Sequence, residues 1–468
     1  MCGGGVLSLL VSCNENVVEE HYVKLDQIAC SFYGYDNDPI EIHVDASPAQ
    51  WEVVSYASWL EATRNGESDI LTITAEDNNS EYERSATVLV TAGSASREII
   101  ITQLGYMPDM PNYRKLSHLN DCAAVSPSGR FVGGFTHKIA ADEITFLFYP
   151  EIIDVYTDER IVLGPYSSDE MMLTQTMVMS DSGQLFICDG QNGGYWIFDT
   201  DGNYYVFGRD GNDVAVQATS EDGRYWVGYA RMDDGLYHPL LWDNGVMHEL
   251  KMPESNYRDR EFMDGVMARG ISADGSIIYG TSWDGWDMGM LYWEDFADEP
   301  KWVGEDVRKV RTEEASWGTE VLVDGVICSA ELTKISPTGK WIAGSYRREM
   351  LGGDQIVTSQ CAAFYNTETE KTTIVEDYGE STGTSVTDDG IAFIGIGSLG
   401  ISTGVVYDLN TNTGLGSIEE WVQSNYGIKI PQGAINYVNA DKSMLFGTFM
   451  TPLPGGYMRF QSFYVSNH

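Results

Sequence analysis

Positive charge is what this chain has least of. It carries 28 lysines and arginines against 70 aspartates and glutamates, a formal charge of -42 over 468 residues. Polyanions approaching such a surface are repelled at ordinary salt, which argues against nucleic acid and anionic lipid faces as partners. Histidine is sparse too: His21, His43, His118, His137, His238, His248 and His468 are scattered, and no His-Glu-x-x-His occurs. Setting aside Cys2 and Cys13 leaves an odd, irregularly spaced set, Cys30, Cys122, Cys188, Cys328 and Cys361, which fits neither a disulfide framework nor a zinc site. The apolar run Val6 to Val11 is too short to span a bilayer as a helix. No cofactor, metal or catalytic residue is expected. Gly379-Glu-Ser-Thr-Gly383 and Gly395-Ile-Gly-Ser-Leu-Gly400 match a nucleophile elbow and a dinucleotide fingerprint by letter, but both need a strand leading into a helix and sit among strand and turn residues. Asp199-Thr-Asp-Gly-Asn203 places its glycine at the fourth position instead of the sixth of a calcium loop.

What the chain has in quantity is glycine and aromatics: 49 glycines, 27 tyrosines and 12 tryptophans, with 43% hydrophobic residues overall. Many short strands joined by tight turns need that mixture, because glycine supplies positive φ and aromatic rings pack on pleated faces. From Tyr113 onward the pattern repeats. A strand ends in Ser or Thr, glycine follows three residues on, and a second strand usually ends in another glycine. The turns are Ser126 to Gly129, Ser180 to Gly183, Ser220 to Gly223, Ser272 to Gly275, Ser336 to Gly339 and Thr387 to Gly390, with a degenerate copy at Asn439 to Lys442. Each unit continues into a third and a fourth strand, except that nothing follows Tyr464-Val465 to serve as the last fourth strand. Tyr113 to Leu116 precedes the first complete unit and is predicted to pair beside Phe460 to Val465, filling the gap.

The expected fold class is therefore all-β: a small antiparallel β-sandwich (Ig-like) followed by a seven-bladed β-propeller. The boundaries are 1–25 for a signal and tether, 26–105 for the sandwich, 106–112 for a linker holding Pro108 and Pro111, and 113–468 for the propeller. The sandwich strands are read as Ile40 to Val44, Trp51 to Ser55, Ile70 to Ala75, Ala86 to Thr91 and Glu98 to Gln103.

Three resemblances add to this. Leu10-Val-Ser-Cys13 resembles a bacterial lipobox, which implies acylation of Cys13, although no lysine or arginine precedes it; the acidic segment after it is similar to those of Bacteroidetes surface lipoproteins. The outer membrane or cell surface is the location this implies, with a lipid anchor as the only membrane contact. Trp51-Glu-Val, Trp59-Leu, Leu71-Thr-Ile-Thr-Ala75, Asn78-Asn79, Arg84-Ser-Ala-Thr-Val88 and Ile99-Ile-Ile-Thr-Gln103 resemble a BACON domain, a family associated with carbohydrate-active proteins that implies a binding or spacer module. Ala268 to Gly280 and His238 to Gly245 resemble extracellular HAF-type repeats, which imply a propeller and no particular chemistry.

Ligand chemistry is expected on the face opposite the Ser-x-x-Gly turns, where the connections are long: Thr136 to Ile144, Pro253 to Asp264, Thr281 to Gly289, Glu305 to Ala330, Ser345 to Gln360 and Thr451 to Met458. In Thr281-Ser-Trp-Asp-Gly-Trp-Asp287, the rings of Trp283 and Trp286 suit stacking on a pyranose, while Asp284 and Asp287 suit its hydroxyls. Tyr257, Trp317, Tyr346, Arg347, Arg348, Tyr378 and Tyr457 are candidates for the same rim; the competing reading of all these rings is that they pin long loops to the body. The leading expectation is a monomeric cell-surface lipoprotein that binds a glycan. The alternatives are a polysaccharide hydrolase or lyase with carboxylates at the propeller mouth, and a module gripping a surface protein partner.

Overall fold

The computed structural model describes residues 21–32, 39–66, 68–78, 80, 84–103, 113–116, 123–140, 144–191, 193–208, 214–282, 289–294, 296–314, 320–328, 334–352, 355–397, 403–452 and 458–467. Among these the chain is all-β, with 38 strands and a single helix. It divides into two units: Met1–Met107 with Lys138–Thr145, and Pro108–His137 with Phe146–His468.

The first unit holds two four-stranded sheets. One runs in the order Tyr22–Leu25, Ile40–Ser47, Ile70–Ala75, Leu60–Arg64; the other runs Ala29–Phe32, Ala95–Gln103, Arg84–Ala92, Glu52–Ser55. Alternate residues of both sheets, among them Ile42, Leu71, Val88 and Ile99, meet in one buried apolar core, as period-two patterning requires. The unit's described strands also include Tyr22–Leu25, Ala29–Phe32 and Leu60–Arg64, which are too short to stand out in sequence. Trp51 is buried and Trp59 partly so; Arg64 lies 4.5 Å over the ring of Trp51 and Arg84 4.3 Å over that of Trp59, so neither indole is a bare stacking platform.

The second unit holds seven sheets in chain order. Sheet one comprises Ala124–Val125, Phe131–Ile139, Phe146–Asp154 and Glu159–Val162, with Tyr166–Ser167 added against its third strand; sheet two, Leu173–Met179, Leu185–Asp189, Tyr195–Phe198 and Tyr204–Phe207. Sheet three comprises Val214–Thr219, Tyr225–Arg231, Tyr237–Asp243 and Val246–Glu249; sheet four, Val266–Ile271, Ile278–Ser282, Met290–Trp293 and Lys301–Trp302. Sheet five comprises Lys309–Glu314, Glu320–Cys328, Trp341–Gly352, Gln355–Asn366 and Lys371–Val375; sheet six, Ser381–Val386, Ile391–Ile396, Thr403–Asp408 and Thr413–Ser417. Sheet seven takes Gly433–Val438, Met444–Pro452 and Met458–Ser466, and its outermost strand is Tyr113–Lys115, as the sequence predicts. Val465 pairs with Tyr113, Tyr464 with Arg114 and Phe463 with Lys115, and Leu116 N donates to Ser462 O at 2.8 Å.

The turn motif has one physical cause repeated seven times. The fourth residue donates its N–H to the carbonyl of the first at 2.9 to 3.1 Å, and every fourth residue has positive φ, including Lys442 at 59°. The first residue's side-chain oxygen then accepts a backbone N–H four or five residues on. Ser126 takes that of Phe131, Ser180 that of Gln184, Ser220 that of Tyr225, Ser272 that of Ile277, Ser336 that of Trp341, Thr387 that of Ile391 and Asn439 that of Met444, all at 2.8 to 3.0 Å. These oxygens are buried beneath their turns, where a lost acceptor would orphan a backbone donor.

Neighbouring turns also bond to one another. Asp181 accepts from Ser126 Oγ at 2.6 Å, Glu221 N donates to Ala273 O at 2.8 Å, and Asp274 N donates to Pro337 O at 3.3 Å. Asp388 accepts from Thr338 Oγ1 at 2.7 Å, Lys442 pairs with Asp389 at 2.5 Å, and Asn439 Nδ2 donates to Ser128 O at 2.8 Å, from the last turn to the first.

Two stretches expected as loops are strands. Ser345 to Gln360 belongs to a hairpin of two twelve-residue strands, Trp341–Gly352 and Gln355–Asn366, and Glu305 to Ala330 contributes Lys309–Glu314 and Glu320–Cys328, which pair with each other while the second also pairs with Ser345 to Arg348 of the hairpin. The reason is tertiary: Tyr346, Arg347 and Arg348 become strand residues because Glu320–Cys328 offers them a partner. The helix Ile418–Tyr426 also departs from the all-strand expectation; Ser417 and Glu420 form its capping box and Gly427 ends it at φ 72°.

Candidate functional site

Because each of the seven sheets alternates strand direction, the connection that follows the strand after its Ser-x-x-Gly turn leaves from the end opposite that turn. The connection to the next sheet leaves from that same opposite end. The connection carrying Trp283, Asp284, Trp286 and Asp287 runs from Ile278–Ser282 to Met290–Trp293; those four residues, Trp317, Tyr457 and Cys13 lie outside the described residues.

The flank of that connection is described. Gly289, just after it, bridges to Cys328 of the added strand in sheet five. Tyr257 is fully buried with its ring edge-on to Trp302 at 6.3 Å, and Gly289 lies so near that a Cβ there would sit 2.6 Å from the Tyr257 ring. Arg347 Nη2 donates to Tyr257 Oη at 3.5 Å. Tyr346 is buried and donates to Val307 O at 3.2 Å, and Arg348 lies 5.0 Å over its ring while pairing with Glu376. Tyr257, Tyr346 and Arg347 thus come together, with both tyrosine rings turned inward to support the seam between sheets four and five. Tyr378 is half-buried in a different cluster with Trp341, Phe364 and Tyr407.

Beneath this end lies a polar network. Ser345 Oγ and Thr382 Oγ1 are 2.7 Å apart, and Gln360 Nε2 donates to both, at 3.1 and 2.8 Å. Every member has a partner, so the network stiffens the base of the projecting hairpin.

His238 sits at the same end of sheet three, between Glu249 at 2.5 Å and Asp234 at 2.9 Å. Burial works against its charged form, but the hydrogen bonds to Glu249 and then Asp234 outweigh it and hold the imidazole above its ordinary 6.5. The stabilisation is therefore complete below about 6.5 and disappears as pH rises through the raised value. Comparing wild type with His238→Gln by urea unfolding, we expect the variant to lose about 0.5 to 1 kcal/mol at pH 5.5 and almost nothing at pH 9. A difference that stays constant with pH contradicts this assignment.

Residues 49–104 match the BACON family, described as "Putative binding domain, N-terminal". No curated protein sequence matches the chain. Similar solved structures include the Myceliophteria thermophila Cps50 (Swd1) β-propeller domain, at 11% identity and TM-score 0.38, covering 76% of this chain and all of that one. The β-propeller domain of the Trilobed protease from Pyrococcus furiosus is similar at 10% identity and TM-score 0.37, over 83% of this chain and 96% of that one. A Bacteroides ovatus GH5 xyloglucanase is similar at 21% identity and TM-score 0.17, over 23% of this chain and 29% of that chain.

Proposed function

We propose that this chain is a cell-surface, lipid-anchored carbohydrate-binding or scaffolding protein, made of an Ig-like sandwich and a seven-bladed propeller whose variable end holds the ligand. The observation that carries the reading is the contrast between the two ends of the seven sheets. At one end the seven turns of the Ser-x-x-Gly type are each four residues long and repeat the same side-chain hydrogen bond. At the other, the connections range from the projecting hairpin of sheet five to the Trp-Asp-Gly-Trp-Asp segment. Long, dissimilar connections opposite a constant set of turns are what a binding surface on a constant scaffold looks like. The bonds between successive turns, and the seventh sheet's use of Tyr113–Lys115, support seven blades in a ring. The BACON match supports binding, and the Leu10-Val-Ser-Cys13 segment supports the anchor at Cys13.

The test is a screen of the full chain against plant and host glycans, followed by calorimetry on any hit. Micromolar to millimolar binding is expected, weakened about tenfold in Trp286→Ala, the order of one lost stacking contact. A hit whose affinity is untouched by that substitution removes the Trp-Asp-Gly-Trp-Asp segment from the site. Silence across the array removes the glycan reading.

A further inference from the structure

Residues mainly of the first strands line a cavity of about 170 Å³ whose described lining includes none of the candidate glycan-binding residues, and it does not depend on the glycan reading. Its lining comes from sheets one, two, three, four and seven and from the Lys334-Ile335 segment of sheet five. Met177, Met179 and Phe446 are among its apolar walls, and the described residues that line it include Arg269 and Lys334 but no aspartate or glutamate. In a chain with 70 carboxylates and only 28 cations, described walls that carry two cations and no carboxylate are the reverse of the bulk composition.

The backbone explains how polar side chains reach this place. In sheets three, four and seven, pairing between the first two strands skips one residue: Gln217 between Val216 and Ala218, Arg269 between Ala268 and Gly270, Asn436 between Ile435 and Tyr437. Each skipped residue lies three before the first residue of its turn, at Ser220, Ser272 and Asn439. A bulge of this kind re-aims one side chain out of the alternation. These three line the cavity, whereas Thr384, skipped likewise in sheet six, instead donates to Ile435 O at 2.6 Å. Arg269 is held in place there, with Nη1 donating to Gln217 Oε1 at 3.4 Å, Nε donating to Thr281 Oγ1 at 3.3 Å, and the Tyr229 ring at 5.7 Å.

Two further observations point to something that the protein itself does not supply. Thr219 Oγ1 and Asn436 Nδ2 both belong to lining residues more than nine-tenths buried, and neither atom has a hydrogen-bond partner among the described residues. Leaving a buried polar group unmade costs about 1 to 3 kcal/mol each, so two around one cavity call for a partner inside it. Lys334 lines the same cavity and has no ion-pair partner among the described residues. Burial holds its ammonium below the ordinary lysine value.

We propose that this cavity binds a small oxyanion, a carboxylate or phosphate, clamped between the Arg269 guanidinium and the Lys334 ammonium with Thr219 and Asn436 donating to its oxygens. The size agrees: the volume is several times the roughly 30 Å³ share of one water and below the roughly 300 Å³ where drug-sized sites begin. Guanidinium and ammonium together make strong charge-assisted bonds to such groups, and the two free donors fit the remaining lone pairs.

Calorimetry of the full chain with inorganic phosphate, with D-glucuronate, and with neutral D-glucose tests it. Binding is expected for at least one oxyanion and not for glucose, and the two arms decide between phosphate and carboxylate. Lys334→Met should weaken that binding about tenfold or more, and Thr219→Val, which keeps the shape, about threefold. A second measurement guards against variants that fail to fold: the Lys334 ε-methylene resonance of the wild-type chain should titrate below free lysine and move upward when the bound anion is saturating. Absence of oxyanion binding up to about 10 mM, equal binding of glucose, affinity unchanged in a folded Lys334→Met, or a Lys334 titration indifferent to the anion each overturns the proposal.

Discussion

Gly228→Ala should cripple the second unit, while Gly223→Ala, five residues earlier, should cost only about 1 kcal/mol. The two glycines are required for different reasons. Gly223 occupies the last position of a turn at φ 70°, and a Cβ there would have nothing within 4 Å, so alanine pays only for its backbone conformation. At Gly228, in the second strand of sheet three, a Cβ would lie 1.7 Å from Ala215 O and 2.8 Å from its carbonyl carbon. Both are backbone atoms of the strand paired with it, and no side-chain rotation relieves the clash. The sheet must part locally, at a cost of about 3 kcal/mol or more. The same crossing carbonyl recurs at Gly280, 2.5 Å from Met267 O, and at Gly447, 2.5 Å from Ala434 O, which explains the second glycine in these three sheets. Chemical unfolding of the two variants, with soluble yield as a second readout, checks the contrast. Equal losses at both positions would show that the crossing carbonyl is not the constraint.

Tyr113 gives the other large effect. Its ring is buried 5.8 Å from that of Phe463, and its strand completes sheet seven. Tyr113→Ala should destabilise the unit by about 3 to 5 kcal/mol, as for other buried aromatics cut to alanine. The hydroxyl, in contrast, is buried with no hydrogen-bond partner among the described residues, and burial pushes its pKa far upward. Tyr113→Phe should therefore be neutral or slightly stabilising. Thermal unfolding of the pair separates packing from polarity, and a Phe variant as damaged as the Ala variant would mean that the hydroxyl has a partner.

Much of the second unit is legible because its repeat is enforced locally. The Ser, Thr or Asn that opens each turn must accept a buried N–H, and the fourth residue must tolerate positive φ, so both leave a mark in the sequence at fixed spacing. The partnership of Tyr113 to Leu116 with the last strand is legible by arithmetic, one strand short at one end and one spare at the other. What stays hidden depends on tertiary pairing. Arg347, Arg348 and Glu349 break an apolar pattern and read as loop until Glu320–Cys328 and Gln355–Asn366 flank them. Tyr257 and Tyr346 read as rim residues because nothing local says that Trp302, Gly289 and Val307 cover them. The cavity cations do leave a signal. Arg269 interrupts the otherwise buried first strand Val266–Ile271 three residues before Ser272, a place where a guanidinium is costly unless it is needed.

The pairing of Arg114 with Tyr464 spans 350 residues of chain. A ribosome releases the first of these long before the second, so Tyr113–Lys115 must wait unpaired while six sheets form behind it. Sheet seven is thus the last to be completed, and a nascent or prematurely terminated product keeps an open strand edge at each end of the array. Such edges are sticky, so a chain cut short before Met458–Ser466 is expected to self-associate more readily than the full-length one.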